Sequence, residues 1–290
     1  MKLLVSATIA TLMVGLGLSL QAGAVVALRH RPALAARVVV GSCLLVPLAA
    51  LGLLSLPPGA SLSRGVRLAI LAMAICPSAP LGLRRAGRQG GNRELAAGLQ
   101  LAAAAAAVLT IPLMVQLLQA ALRAHGWAIP PRLVAIQVLA LQGLPLGLGM
   151  ALRWRWPAWA ARASHWIDRL GFLLLFALVG VLLVRIGPLL GAFVLANGTA
   201  LLLMAALVLI ATALGGLLGG PGGQERISGA VVTSLRNPGL ALLFATLYAQ
   251  GIPGVLLGIV VYQLLTLLLT GPLLALWRRH AGLPPPAARR

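Results

Sequence analysis

The stretch Val231-Val-Thr-Ser-Leu-Arg-Asn-Pro-Gly-Leu-Ala-Leu-Leu-Phe-Ala245 decides how this chain folds. It is apolar at both ends, yet Arg236, Asn237, Pro238 and Gly239 break its centre. Proline removes a backbone donor and clashes with the preceding turn. Glycine adds conformational freedom where a helix needs none. An opened helix leaves free N–H and C=O groups that lipid cannot satisfy, so they must face protein or a wet cavity. The stretch therefore reads as a transmembrane helix interrupted at its middle.

Everything around it supports a membrane setting. The chain has 290 residues, of which 60% are hydrophobic and only 9% charged, with a mean hydropathy of +1.01. A soluble domain could not cover so much apolar surface with so few charges. Runs of about twenty apolar residues recur from end to end, each long enough to cross a bilayer as a helix. The sequence predicts an all-α integral membrane protein with nine spans, at 3–28, 38–56, 68–83, 95–122, 133–152, 170–186, 189–214, 227–250 and 252–277. One transmembrane domain covers 1–282, and 283–290 reads as a disordered tail. The N-terminal run could also pass for a secretory signal, but it continues through Val25 to Leu28, which favours a first span.

The formal charge is +20, from 23 Lys and Arg against 3 Asp and Glu. Most arginines sit in short loops between apolar runs, and no polar face interleaves aromatic with basic residues. Nucleic acid is therefore not an expected partner; membrane lipid is. Lys2, Arg64, Arg67, Arg123, Arg132 and Arg185 fall in one set of alternate loops, and sixteen basic residues fall in the other, with Arg236 in neither. This bias predicts an inner, plasma-membrane protein with its N-terminus outside and its C-terminus in the cytoplasm. Lys2 is the only lysine, so part of the arginine excess is compositional. Cys43 and Cys76 lie in different apolar runs and say nothing of redox compartment.

The longest loop, 153–168, carries Trp154, Trp156, Trp159 and Trp166 among arginines, a composition suited to the membrane–water interface. Gly254 and Gly258 form a GxxxG step that would allow close helix packing, within the chain or between subunits; oligomeric state stays open. No HExxH, GxSxG or Walker loop occurs, and His30, His125, His165 and His280 all lie in loops or at span ends. Glu94, Asp168 and Glu225 stand at span boundaries, so no span interior holds a carboxylate. An enzyme is disfavoured, no metal site or cofactor is expected, and ion coupling through an intramembrane acid is disfavoured too.

A second interruption lies in the third span, where Pro77, Pro80 and Gly82 follow Cys76. Pro47, Pro112 and Pro145 read as ordinary kinks, which transmembrane helices tolerate. An interrupted span in each half of a chain is the sequence pointer to a secondary transporter with a midplane site.

At these residues the chain resembles the bile acid:sodium symporter family. Met13 to Leu20, Arg31-Pro32 and then Pro47 look like the family's first shared helix pair. Cys76-Pro77 through Gly91-Asn92, followed by Thr110-Ile-Pro112, is similar to its first broken helix and the helix after it. Asn237-Pro-Gly-Leu-Ala241 resembles its second. The resemblance implies inverted repeats, two broken helices crossing in a core domain, and a panel domain that rocks against it. Nine spans match the shorter form of the family.

The departures carry information. The resemblance places the family's Ser-Asn sodium ligands on Gly82 and Leu83, an acid on Val232, and glutamines on Arg236 and Ser42; only Asn237 is kept. Oxygen ligands for sodium are largely gone. The reading that follows is a secondary carrier of a small organic anion by alternating access, with sodium coupling in doubt. Arg236, Asn237, Ser78, Thr233 and Ser234 are the candidate substrate contacts, and Pro77, Pro80, Gly82, Pro238 and Gly239 the helix breakers. Arg84 and Arg85 stand at the cytoplasmic mouth. Two alternatives remain: a sodium-coupled symporter of the usual family kind, and a non-transporting receptor or scaffold on the same fold.

Overall fold

The computed structural model describes residues 2–77, 82–121 and 130–280. Ser78, Pro80, Arg123, His125 and the tail lie outside the described residues. Helices account for almost all of the rest, because the apolar runs are rich in Leu and Ala and have no water to satisfy their backbone in any other way.

Twelve helices follow in order: α1 (Lys2–Ser19), α2 (Ala22–His30), α3 (Pro32–Ser55), α4 (Arg64–Ile75), α5 (Gly82–Arg88), α6 (Arg93–Ala121), α7 (Pro131–Arg155), α8 (Pro157–Ala196), α9 (Gly198–Leu218), α10 (Gly223–Ser234), α11 (Pro238–Tyr248) and α12 (Val255–His280). A single turn, Pro57–Ala60, joins α3 to α4. Among the described residues, eight segments are long and apolar enough to cross a membrane, α10 and α11 counting as one. The expected third span is not among them, since α4 stops after 12 residues at Ile75. Its ends still lie at opposite faces. Gly65 packs against Pro253, whereas Gly90, just past α5, packs against Arg278.

The alternate loops sort into two ends. Arg31 pairs with Glu225, and the Ser228 hydroxyl donates to the Asn92 carbonyl at 3.0 Å. At the other end Ser63, Phe193, Asn197 and the turn 251–254 come together. The helices also fall into two groups by packing. α1 lies along α7 and α8, while α3, α4, α6, α9, α10, α11 and α12 pack mainly among themselves. Large apolar side chains such as Leu109, Phe176, Val184, Leu195 and Leu268 point outward, as expected of a surface solvated by lipid.

Several boundaries differ from the sequence reading. The first run divides at Leu20–Gln21, where Gln21 turns extended and α2 folds back along α6; Gly23 there lies against the Glu94 carboxylate. The tryptophan-rich loop is helical from Pro157, and α8 runs unbroken for 40 residues, through Pro188. At about 1.5 Å per residue that is about 60 Å, twice a hydrocarbon core, so its Arg- and Trp-bearing start extends beyond the apolar layer. The turn expected near Gly187 falls instead at Asn197. Gly254 is not helical: its φ of +84° makes it a turn residue before α12. Gly258 alone makes the close approach, against Ala69 of α4. Pro112 does lie inside a continuous helix, and Pro47 and Pro145 each follow a π turn, at Gly41–Leu45 and Leu139–Gly143.

Candidate functional site

Arg236 lies in the short gap between α10 and α11. α10 ends at Ser234, Leu235 and Asn237 are extended, and α11 begins at Pro238. Pro238 and Gly239 therefore occupy the first turn of α11 rather than the break. Proline fits there because its missing N–H would have no partner in a first turn anyway. The Asn237 side chain accepts from the Leu240 N–H at 3.2 Å and caps the helix. Gly239 lets Ile9 of α1 come close: an added Cβ would lie 2.9 Å from its Cγ1.

The end of α4 meets the gap between α10 and α11. α4 ends at Ile75, and the Cys76 carbonyl accepts from the Asn237 N–H at 2.9 Å. Each break thus supplies a backbone group that the other needs, which is how opened backbone survives at membrane depth. Pro77 follows directly, and α5 starts at Gly82.

Arg236 sits at this junction with none of its surface exposed. Its Nη1 donates to the Ser42 carbonyl of α3 at 2.8 Å. Nε and Nη2 have no hydrogen-bond partner. Cys43, Cys76 and Tyr262 are the ionisable neighbours within electrostatic range, and no carboxylate is among them. The three acids of the chain lie elsewhere: Glu225 pairs with Arg31, Glu94 lies beside Gly23 and Asp168 beside Gly15. The Ser42 and Tyr262 hydroxyls are also buried without partners.

The Ser42 carbonyl is available for a local reason. In the π turn the Val46 N–H goes back five residues to the Gly41 carbonyl. Pro47, the next residue, has no N–H. Neither the fourth nor the fifth residue ahead therefore bonds the Ser42 oxygen. The sequence carries no side-chain signal for this acceptor: Pro47 reads as a kink and Ser42 as a hydroxyl.

The other candidates divide. Ser234 turns its hydroxyl back to the Val231 carbonyl at 3.4 Å. Thr233 is buried with its Oγ1 unpartnered, and its Cβ lies against Gly215 of α9. Arg85 ties α5 to α12, its Nη2 donating to the Leu267 carbonyl and the Thr270 hydroxyl, each at 2.8 Å. Between α8 on one side and α11 and α12 on the other lies a cavity of about 230 Å³, lined by Leu182, Ile186, Pro238, Leu242, Gln263 and other mostly apolar residues. A larger groove of about 1140 Å³ between α1, α6 and α7 has no charged lining residue. Among the described residues no cluster of His, Cys, Asp and Glu could hold a metal ion.

Comparison with known proteins bears on the first two thirds of the chain. The model of the Sodium Bile acid symporter family matches residues 7–193, more than half of the chain. No curated protein matches the sequence.

Proposed function

The chain belongs to the Sodium Bile acid symporter family, a family of membrane transporters, and from that premise we propose that it is a secondary carrier of a small organic anion. The observation that carries the reading is Arg236: a fully buried guanidinium with two unpartnered nitrogens and no carboxylate in reach. Mid-span cations usually face a partner or a substrate path, because burying one costs about 2.5–3.5 kcal/mol or more. An anion arriving between the helix groups would supply the missing partner. The cavity beside Pro238 offers room for its apolar body.

The transport cycle in this reading is alternating access. α1, α7 and α8 form a panel, the remaining long helices form the core, and the two interrupted spans cross within that core as members of inverted repeats. The two-group packing and the Asn237–Cys76 backbone bond support it. Orientation is N-terminus outside and C-terminus cytoplasmic in the plasma membrane, supported by the loop charge bias. Labelling of a cysteine placed at Arg279 from outside intact cells would reverse it.

Sodium does not fit the residues at the junction. Asn237 Oδ1 is committed to the cap, the Ser42 carbonyl to the guanidinium, and Val232 offers no side-chain oxygen. The carrier is therefore assigned no sodium step.

The test is binding of organic anions to the purified full chain, with octanoate, benzoate and cholate as probes, in wild type and Arg236→Gln. Loss of a desolvated charge partner should cost about 2–5 kcal/mol of binding in a variant that still folds. Equal binding by both proteins would remove Arg236 from the site and the anion reading with it.

A further inference from the structure

The guanidinium at the junction is not free to present any face. Nη1 is taken by the Ser42 carbonyl, which leaves Nε and Nη2 as the unpartnered pair. These two nitrogens lie on one edge of the planar group, and their N–H bonds run parallel, the spacing that matches the two oxygens of a carboxylate. What fixes this choice of edge is the π turn before Pro47, which leaves the Ser42 oxygen without an intrahelical donor. A proline in a different helix, remote in sequence from Arg236, thus decides which edge of the guanidinium is left without a partner.

Charge balance narrows the ligand further. The electrostatic neighbours of Arg236 are two thiols and a phenol, with neither a second cation nor a carboxylate. One buried positive charge compensates one negative charge. A dianion held there would leave a net negative charge in a medium of low dielectric, which is costly.

We infer that the site selects a monocarboxylate, gripped through the Nε–Nη2 edge of Arg236, and that Pro47 and the Ser42 carbonyl are the positioning elements that turn that edge toward it. This rests on the anion-carrier reading above and specifies the substrate class of the same site.

The experiment uses the purified full chain and matched pairs of straight-chain acids: butanoate with butanedioate, octanoate with octanedioate, dodecanoate with dodecanedioate, and the methyl ester of each monoacid. Dissociation constants are measured for wild type, Arg236→Lys, Arg236→Gln and Pro47→Ala. Lysine keeps the charge but not the two parallel donors. Alanine at 47 restores an N–H that competes for the carbonyl without touching the guanidinium. In wild type at least one monoacid should bind about tenfold or more tightly than its diacid and its ester. Arg236→Lys should lose about tenfold or more of that affinity. Pro47→Ala should weaken monoacid binding, because the edge is no longer held, while keeping the preference for monoacid over diacid that the single charge sets; a purely structural role would weaken monoacid and ester alike. Monodispersity and helical content establish which variants fold, and Arg236→Lys decides alone if Pro47→Ala does not. Wild-type affinity in Arg236→Lys, or diacids bound as tightly as monoacids, would overturn the edge-on monocarboxylate assignment while leaving an anion carrier. Wild-type affinity in Arg236→Gln would overturn both. Failure of every monoacid to bind wild type would overturn the monocarboxylate class.

Discussion

A buried arginine without a counter-ion needs a structural reason to persist, and position 236 has three around it. The interruption of the eighth span places the side chain beside α3, the π turn supplies a carbonyl, and Asn237 closes the next helix. The cap is separable from the charge. The Asn237 side chain satisfies the Leu240 N–H, while its own backbone N–H serves Cys76. Asn237→Ala keeps the backbone bond and removes the cap, so it should cost about 0.5–2 kcal/mol of stability. Its thermal midpoint should fall while binding of a saturating anion is retained. A variant as stable as wild type would show that the cap contributes nothing at this break. At this scale the sequence revealed the charge, the amide and the proline. It did not reveal the Ser42 carbonyl, because a backbone acceptor 194 residues away has no side-chain signature.

Helices in this protein approach one another at glycines, since lipid gives no hydrophobic drive for association and close packing must replace it. The tightest case is α9 against α10. An added Cβ on Gly215 would meet the Gly229 carbonyl, and one on Gly229 would meet the Gly215 carbonyl and, at 2.8 Å, the Gly219 Cα. Gly215 and Gly219 also form a GxxxG step in the sequence, as Gly254 and Gly258 do, yet Gly254 is a turn residue. A motif of two glycines fixes neither whether both are helical nor what they face. Span boundaries show the same limit. Asn197, rather than the Gly187-Pro188 pair, ends α8, because a proline inside a long transmembrane helix costs little when neighbours satisfy the freed carbonyl. Gly229→Ala should force the two helices apart and lower stability by about 1–3 kcal/mol. Gly180→Ala, where nothing lies within 4 Å of the added carbon, should leave stability unchanged or raise it, by at most the helix-propensity gain of about 1 kcal/mol. Thermal midpoints of the two variants side by side make the comparison. Equal midpoints would mean that the α9–α10 contact can relax without cost.

The whole molecule poses the question of what drives transport. In its family a symporter couples substrate to sodium, and coupling needs a site whose affinity for the ion depends on the conformation that binds substrate. Here the place nearest both interruptions holds a fixed cation instead. Two like unit charges about 4 Å apart repel by about 4 kcal/mol at an effective dielectric of about 20, so a sodium ion beside the Arg236 guanidinium would be opposed by more than a few oxygens could recover. The Asn237 Oδ1 and the Ser42 carbonyl are in any case engaged. Replacing sodium by choline at constant ionic strength should therefore leave anion affinity within about twofold. A tenfold fall, equivalent to about 1.4 kcal/mol of coupling, would restore sodium coupling and require ligands away from this junction. Arg236→Gln sharpens the test. The neutral amide adds an oxygen, frees the Ser42 carbonyl and removes the repulsion, so the variant should gain a dependence of binding on sodium that the wild type lacks. Equal indifference to sodium in both proteins would mean that the guanidinium does not stand in for the ion, and that the fold here carries its anion without any cation at the crossing of the broken spans.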